Sequence, residues 1–509
     1  MAGYAYKSAQ CAVGYEGNLC GLCRQGYGTV KPFVCKKCLS NAATITLYAL
    51  AALVMLVAVL VLSALALADC GQDTGAAKPV DILKPLVLYA QWLLVVCQSM
   101  NNVPLPSSLA LPLQAVSWFW SSASSSSLGL DCVLPRDASI PVPAQKVVFA
   151  VLTPVAILCV LLCGELLMSL RCPSTSRRSR MATVATGVRM RDRFVSLLVC
   201  MAFMFLPTWA HAAFSLFACI PLDVEALFPY SSEAVGLYWT QDLSTQCYAP
   251  GGYHKPWALG IGLPLLMLLC LALPVGLLVF LVISCKHGRL SQASFRQQYG
   301  FLYRSWRQGV NWYEAVVVVQ TNTLVLVGTF GYALGPYFHL LVITAALAFI
   351  GVLLLCIRPH KCAAAGQVSL QGVGVLCLTS FSALTFLTYR NITPPPGYSM
   401  AMGGVLLAAH LLFVLCTLWR LLRLVEWVAV MDFLRCFYQK ISCCCQTDSG
   451  PSCASGAVRQ TIPACVDVGP GLRLLKGCCT GQHPVQGSQQ SGACFQDASK
   501  PGAGAVSAV

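Results

Sequence analysis

Cysteine is the residue whose spacing in this sequence most directly suggests chemistry. Of 29 cysteines, five precede the first long apolar run, in the order Cys11-x8-Cys20-x2-Cys23-x11-Cys35-x2-Cys38. Two chemistries fit that pattern. The paired C-x2-C elements are those of a four-thiolate zinc ribbon. The alternative is a disulfide-stapled extracellular module, in which the Gly14-Tyr15-x-Gly17 and Gly26-Tyr27-Gly28 elements make turns between bridges. So short a segment builds no core of its own and needs one staple or the other. Cys11 is surplus to a zinc site and calls for a partner upstream, which predicts a longer N-terminal region. Cys132, Cys219 and Cys247 lie in two later polar loops. Either Cys132 or Cys219 could bridge Cys247, which leaves one thiol free. The favoured reading is disulfides among these eight cysteines, with no metal. Cys443, Cys444 and Cys445 directly follow the last apolar run and are candidates for palmitoylation.

Polar side chains inside apolar runs form the second group. Gln320 and Asn322 are two residues apart, so on a helix they point to different sides. One could face a pore or cavity while the other bonds a neighbouring helix. Gln367 and Gln371 are four apart and share one helical face, as a cavity lining or an inter-helix contact. Glu314 opens an apolar run beside Trp312 and Tyr313, where a helix N-terminus stabilises a carboxylate. His211 and His410 stand alone among apolar residues and read as packing residues. The chain has no phosphate loop, HExxH, GxSxG or kinase signature. It supports no enzyme reading, no catalytic residues and no cofactor. Nor does it contain a basic run with interleaved aromatics, so nucleic acid is not an expected partner.

The elements that must hold these residues follow from composition. The chain is 57% hydrophobic and 10% charged over 509 residues, against about 25% charged for soluble domains. A bilayer core needs about 20 apolar residues of helix. Runs of that kind lie near 42–68, 83–103, 146–170, 194–219, 256–284, 312–334, 338–357, 366–389 and 399–425. The fold class expected is all-α: a polytopic transmembrane bundle of about nine spans over 42–425, behind a disulfide-rich extracellular stub at 1–41. Residues 426–445 read as an amphipathic juxtamembrane helix ending in the Cys443 cluster. Residues 446–509 read as a disordered cytoplasmic tail. Pro264 and Pro274 should break the fifth span.

Charge orients the spans. Residues 171–193 hold seven Arg, and residues 285–311 hold Lys286, Arg289, Arg296, Arg304 and Arg307. Nine spans with the N-terminus outside place both stretches, Arg358, Lys361 and the tail in the cytoplasm, as positive-inside asymmetry requires. Dropping the polar segment 83–103 would reverse this, so that segment is read as crossing. The same topology puts the sequon Asn391-Ile392-Thr393 outside as a glycosylation candidate. Only the first span runs against it, with Lys31, Lys36 and Lys37 outside and Asp69 and Asp73 inside.

On these residues a resemblance can be stated. The stub CAVGYEGNLCGLCRQGYGTVKPFVCKKC resembles ephrin-receptor-like and laminin-EGF-like cysteine-rich repeats. The spans resemble the transient-receptor-potential-like (TRP-like) C-terminal domain that follows such repeats in algal and protist membrane proteins. The stretches DILKPLVLYAQWLLVV and CIPLDVEALF…LYWTQDLSTQC carry it, as does Arg358-Pro359-His360. The most specific block is FRQQYGFLYRSWRQGVNWYEAVVVVQ, a YGFLY element leading into a Trp-Tyr-Glu span entry. The sequence departs from the group in lacking a large ectodomain, and in having Gln320 and Asn322 where members often carry Lys or Arg. The resemblance implies a cation channel or a related receptor-like protein, and no catalytic residue set. Three functions are therefore expected in order: a TRP-like cation channel, a receptor or adhesion protein with a cysteine-rich ectodomain, and a lipid or small-solute transporter. Expected partners are membrane lipids, further copies of the chain and an extracellular ligand. The location expected is the plasma membrane or another secretory-pathway membrane.

Overall fold

The computed structural model describes residues 11–16, 20–31, 34–68, 78–100, 132–134, 140–171, 190–222, 236–388 and 397–424. Four short strands open it: β1 (Tyr15–Glu16) pairs antiparallel with β2 (Leu22–Cys23), and β3 (Tyr27–Lys31) with β4 (Val34–Lys37). Gly14, at φ +93, turns the chain where the Tyr27 ring would strike any side chain. Bridges Cys11–Cys20 and Cys23–Cys35 staple this segment, and Cys38 pairs with Cys132. Cys11 therefore closes downstream rather than onto an upstream thiol. Cys219 pairs with Cys247, so the expectation of one thiol left over from Cys132, Cys219 and Cys247 gives way to two complete bridges.

Nine helices among the described residues are long and apolar enough to cross a membrane. They are α1 (Asn41–Ala68), α2 (Pro79–Ser99), α3 (Val142–Arg171), α4 (Met190–Ser215), α5 (His254–Lys286), α7 (Tyr313–Phe330), α8 (Gly335–Ile357), α9 (Ala363–Thr388) and α10 (Tyr398–Leu424). A shorter helix, α6 (Ala293–Tyr303), lies between α5 and α7. Two helices are displaced from the apolar runs. The run at 83–103 is helical from Pro79 to Ser99, because Pro79 supplies a preset first turn and Asp81 caps the Lys78 backbone N–H at 3.2 Å. The run at 194–219 begins four residues earlier, at Met190, and gives up Cys219 to a strand. Hydropathy finds the apolar middle of a helix but is blind to a polar capped first turn.

The all-α expectation also omits a sheet. Between α4 and α5, β5 (Cys219–Leu222), β6 (Gly236–Trp239) and β7 (Asp242–Gln246) form an antiparallel sheet in the order 5-6-7. The Cys219–Cys247 bridge ties its outer strands, and Trp239, fully buried, donates from Nε1 to the Ser215 carbonyl at 2.7 Å.

Side-chain pairings fix the helix directions. Lys84 meets Glu314, Trp92 meets Thr321, and Gln91 meets the Phe203 carbonyl, so α2, α7 and α4 run together. Gly372 of α9 packs on Tyr89 of α2. Thr344 and Ser380 pair across the antiparallel α8–α9 hairpin, and Thr379 and His410 across α9–α10. Tyr48 of α1 lies against Phe149 of α3. Successive long helices therefore alternate in direction. One end of the bundle carries the Cys38–Cys132 and Cys219–Cys247 bridges. The other carries residues 287–312 and 358–362. At the tight turn between α7 and α8, Gly331 lies under the His339 ring, which leaves no room for a side chain. Of the nine helices α2 is the most enclosed, with 78% of its most apolar stretch buried, and α5 the most peripheral, with 17%.

Asn391, Cys443, Cys444, Cys445, the juxtamembrane segment and the tail to 509 lie outside the described residues.

Candidate functional site

The centre of the site is a lysine in the first turns of the most enclosed helix. Lys84 is 1% exposed. A buried ammonium is tolerated only with a counter-charge and acceptors for its protons. The Lys84 Nζ donates to Glu314 Oε2 at 2.5 Å and to the Phe301 carbonyl at 3.0 Å. Aromatic faces enclose the rest of it: Nζ lies 4.8 Å from the Phe301 ring centre, 5.0 Å from Trp306 and 5.7 Å from Phe203. Glu314, also buried, stands in the first turn of α7 and accepts a second hydrogen bond, from Trp306 Nε1 at 2.9 Å. Its carboxylate thus combines the helix N-terminal role expected for it with an ion pair that the sequence did not reveal.

The residues that build this enclosure come from the block FRQQYGFLYRSWRQGVNWYE. Phe301 closes α6, Trp306 and Ser305 form the link to α7, and Tyr313 and Glu314 begin α7. Backbone bonds pin the link to the α8–α9 turn: Arg307 N–H donates to the Pro359 carbonyl at 2.7 Å and Lys361 N–H to the Ser305 carbonyl at 3.0 Å. Ser305 Oγ donates to Asp81 of α2 at 2.8 Å, and Gln298 of α6 to Asp192 of α4 at 2.6 Å. One end of the bundle is thereby tied through α6 and its link to α2, α4, α7 and the α8–α9 turn.

His360, in that turn, lies tilted against Trp306 with ring centres 4.9 Å apart, and its Nε2 lies 2.8 Å from Ser369 Oγ. Burial, and then the nearby Lys84 charge, push its imidazole down to about 4, so it is neutral at physiological pH. Its Nδ1 is buried without a partner among the described residues. A cavity of about 30 Å³ lies between Lys84, Trp92, Tyr313, Gln320, His360 and Ser369. That space suits a water or two, far below the roughly 300 Å³ of a small-molecule site.

Of the residues singled out from sequence, Gln320 lines this cavity and is directed at the Tyr313 hydroxyl, 3.4 Å away. Asn322 does not reach it. Its Nδ2 donates to the Leu269 carbonyl of α5 at 2.8 Å, and α5 shows why. Pro264 and Pro274 do not break the helix, which runs on from His254 to Lys286; each is preceded by a π turn, Ala258–Gly262 and Met267–Ala272. In the second, the Leu273 N–H reaches back to Leu268, and the next residue, Pro274, has no N–H to give. The Leu269 carbonyl is left without a backbone donor, and Asn322 supplies one from the neighbouring helix. Asn322 Oδ1 remains buried and unpartnered among the described residues. His410 bridges the Tyr89 hydroxyl and Thr379 Oγ1, tying α10 to α2 and α9. His211 borders a second small cavity, about 20 Å³, with Lys146, Thr208 and Gln241. Gln367 and Gln371 share a face, as their spacing requires, but both are exposed on the outside of the bundle and line neither of these two cavities.

Among the described residues, one cluster has the make-up of a metal site. The stub thiols are consumed in bridges. Cys219, Cys247 and His254 gather within 4.8 Å, but the two sulfurs are bonded to each other. His254 Nε2 lies 3.0 Å from the Leu216 carbonyl, and its Nδ1 accepts the Tyr248 N–H at 3.4 Å. Every donor atom of that set is in use.

Lys84, Trp306 and His360 stand in the stretches that carry the resemblance, but the sequence assigned none of them a role. The available signal was a single lysine within DILKPLVL, at the edge of one apolar run, and a glutamate at the edge of another. No family model, curated protein or solved structure matches the chain.

Proposed function

We propose that the chain is an integral membrane protein of the cation-channel class, TRP-like in the sense of the resemblance above, with its disulfide end outside and its arginine-bearing end in the cytoplasm. The orientation rests on segregation. All four described bridges belong to the stub and to the loops at one end of the alternating helices, and disulfides persist in oxidising compartments. Lys286, Arg289, Arg296, Arg304, Arg307, Arg358 and Lys361 belong to the other end.

The observation that carries the channel reading is α5. This lightly packed span is interrupted by two π turns, and the carbonyl one of them frees is held by Asn322 of α7. π turns inside helices are found frequently at functional sites. The two cavities described above hold only water-sized molecules, so conduction through them requires α5 to move or copies of the chain to assemble.

The test is whole-cell current from cells expressing the chain, beside an Asn322→Ala, Gln320→Ala variant, with surface delivery verified by biotinylation. Current altered in the variant supports the reading. Silent cells with the protein at the surface, across voltage, temperature and osmotic steps, overturn it. They would favour a receptor, a reading that the Cys38–Cys132 tie between ectodomain stub and bundle supports.

A further inference from the structure

Three amides deep in the bundle have hydrogen-bond partners. Gln91, Gln320 and Asn322 are buried; Gln91 and Asn322 donate to carbonyls of neighbouring helices, and Gln320 to the Tyr313 hydroxyl of its own helix. Exposed hydroxyls obey the same demand locally: Thr46 and Thr323 return their protons to the carbonyl four residues back. Gln367 and Gln371 are exposed on the outer face of α9, and no hydrogen bond links either to another described residue. A primary amide has two N–H donors and an acceptor, and hydrocarbon satisfies none of them.

Depth separates the two. The helix α9 has 26 residues, about 39 Å at 1.5 Å per residue, against a hydrocarbon core of about 30 Å. Centring it puts Gln367 near the boundary, where a flexible side chain reaches the headgroups. Gln371 lies a further turn inside, about 8 Å below the boundary, beyond the reach of its own side chain. The positions exposed beside it are Ala363, Gln367, Gly374, Leu378 and Phe381, which recur at spacings of three and four and so form one seam along the helix. A Cβ at Gly374 would meet nothing within 4 Å, so a second backbone can approach closely there.

We propose that this seam of α9 is the surface through which two copies of the chain associate in the membrane, with Gln371 of each copy hydrogen-bonded to its counterpart across a twofold axis. The occupant is a second copy because a carboxamide is self-complementary, each being donor and acceptor to the other, as an isologous contact requires. The proposal rests on the membrane-spanning reading and is independent of conduction.

The test uses the full chain in liposomes at low protein-to-lipid ratio, with photobleaching steps counted on a fluorescent C-terminal fusion. Two-step spots are expected for the wild type. Gln371→Leu should move the population to single steps, weakening association about threefold or more. Gln371→Asn should retain pairing, and Gly374→Leu should lose it. Oxidised Gln371→Cys should give a species of doubled mass that wild type does not. Single-step wild-type spots overturn the proposal, as do unchanged counts in Gln371→Leu or a cross-link confined to one chain, which would mean that the chain's own segments cover the seam. Flotation of the protein with the liposomes is scored separately. Its failure would sink the membrane reading instead.

Discussion

Lys84 and Glu314 stand 230 residues apart in sequence and 2.5 Å apart in space. Both are buried, and aromatic rings enclose the Lys84 ammonium. Removing one partner leaves an uncompensated charge, which costs about 3–5 kcal/mol. Lys84→Met should therefore melt at a clearly lower temperature in detergent. The double variant Lys84→Met, Glu314→Gln should recover most of that loss, because Trp306 still has an acceptor. Equal melting temperatures for wild type and Lys84→Met would show the pair to be unimportant for stability.

Asn322 and Pro274 are expected to be coupled. Asn322→Leu leaves the Leu269 carbonyl without a donor, at a cost of about 1–3 kcal/mol. Adding Pro274→Ala restores a backbone N–H and lets the π turn relax to α-helix, so the second substitution should offset much of the first. Additive effects on thermal unfolding in a double-mutant cycle would refute this account of the π turn.

His360 sets a pH dependence whose sign follows from its lowered pKa, about 4 against an ordinary 6.5. Between those values the unfolded chain binds the proton and the folded one does not, so stability rises with pH. The contribution is complete above about 6.5 and is lost progressively as pH falls towards 4. The wild-type melting temperature should decline over that interval on acidification. His360→Gln, which does not titrate, should show a shallower decline. Identical slopes would remove His360 as the source.

Disulfide placement predicts a labelling pattern. On intact cells a membrane-impermeant maleimide should modify Cys38 and Cys132 only after reduction, and should not reach Cys362 at the other end until the membrane is permeabilised. Labelling of Cys362 on intact, unreduced cells would reverse the proposed orientation.

Much of the architecture was legible in the sequence because apolar runs of about 20 residues have few alternatives to a spanning-length helix. All nine runs correspond to helices; those at 83–103 and 194–219 are shifted towards the N-terminus at both ends, at α2 because Pro79 and Asp81 set the first turn. The three-stranded sheet at 219–246 was not legible, since its strands are short, lie between spans and are held by one disulfide and by Trp239. The block from Phe295 to Glu314 stood out as a pattern of aromatic and charged residues. Its purpose did not, because half of the site belongs to α2 and the α8–α9 turn.

Local composition therefore determined what is local: helix lengths, the cysteines available for pairing, the two prolines that α5 must accommodate, and the shared face of Gln367 and Gln371. Only the tertiary structure decided which face looks inward and who meets whom. It turned Gln320 and Asn322 into the bundle and Gln371 out of it, matched Cys38 to Cys132, and brought Lys84 to Glu314. The physical reason is that burial, ion pairing and hydrogen-bond satisfaction are properties of surroundings that distant segments supply together, and helical periodicity fixes a residue's angle on its own helix but not what stands opposite.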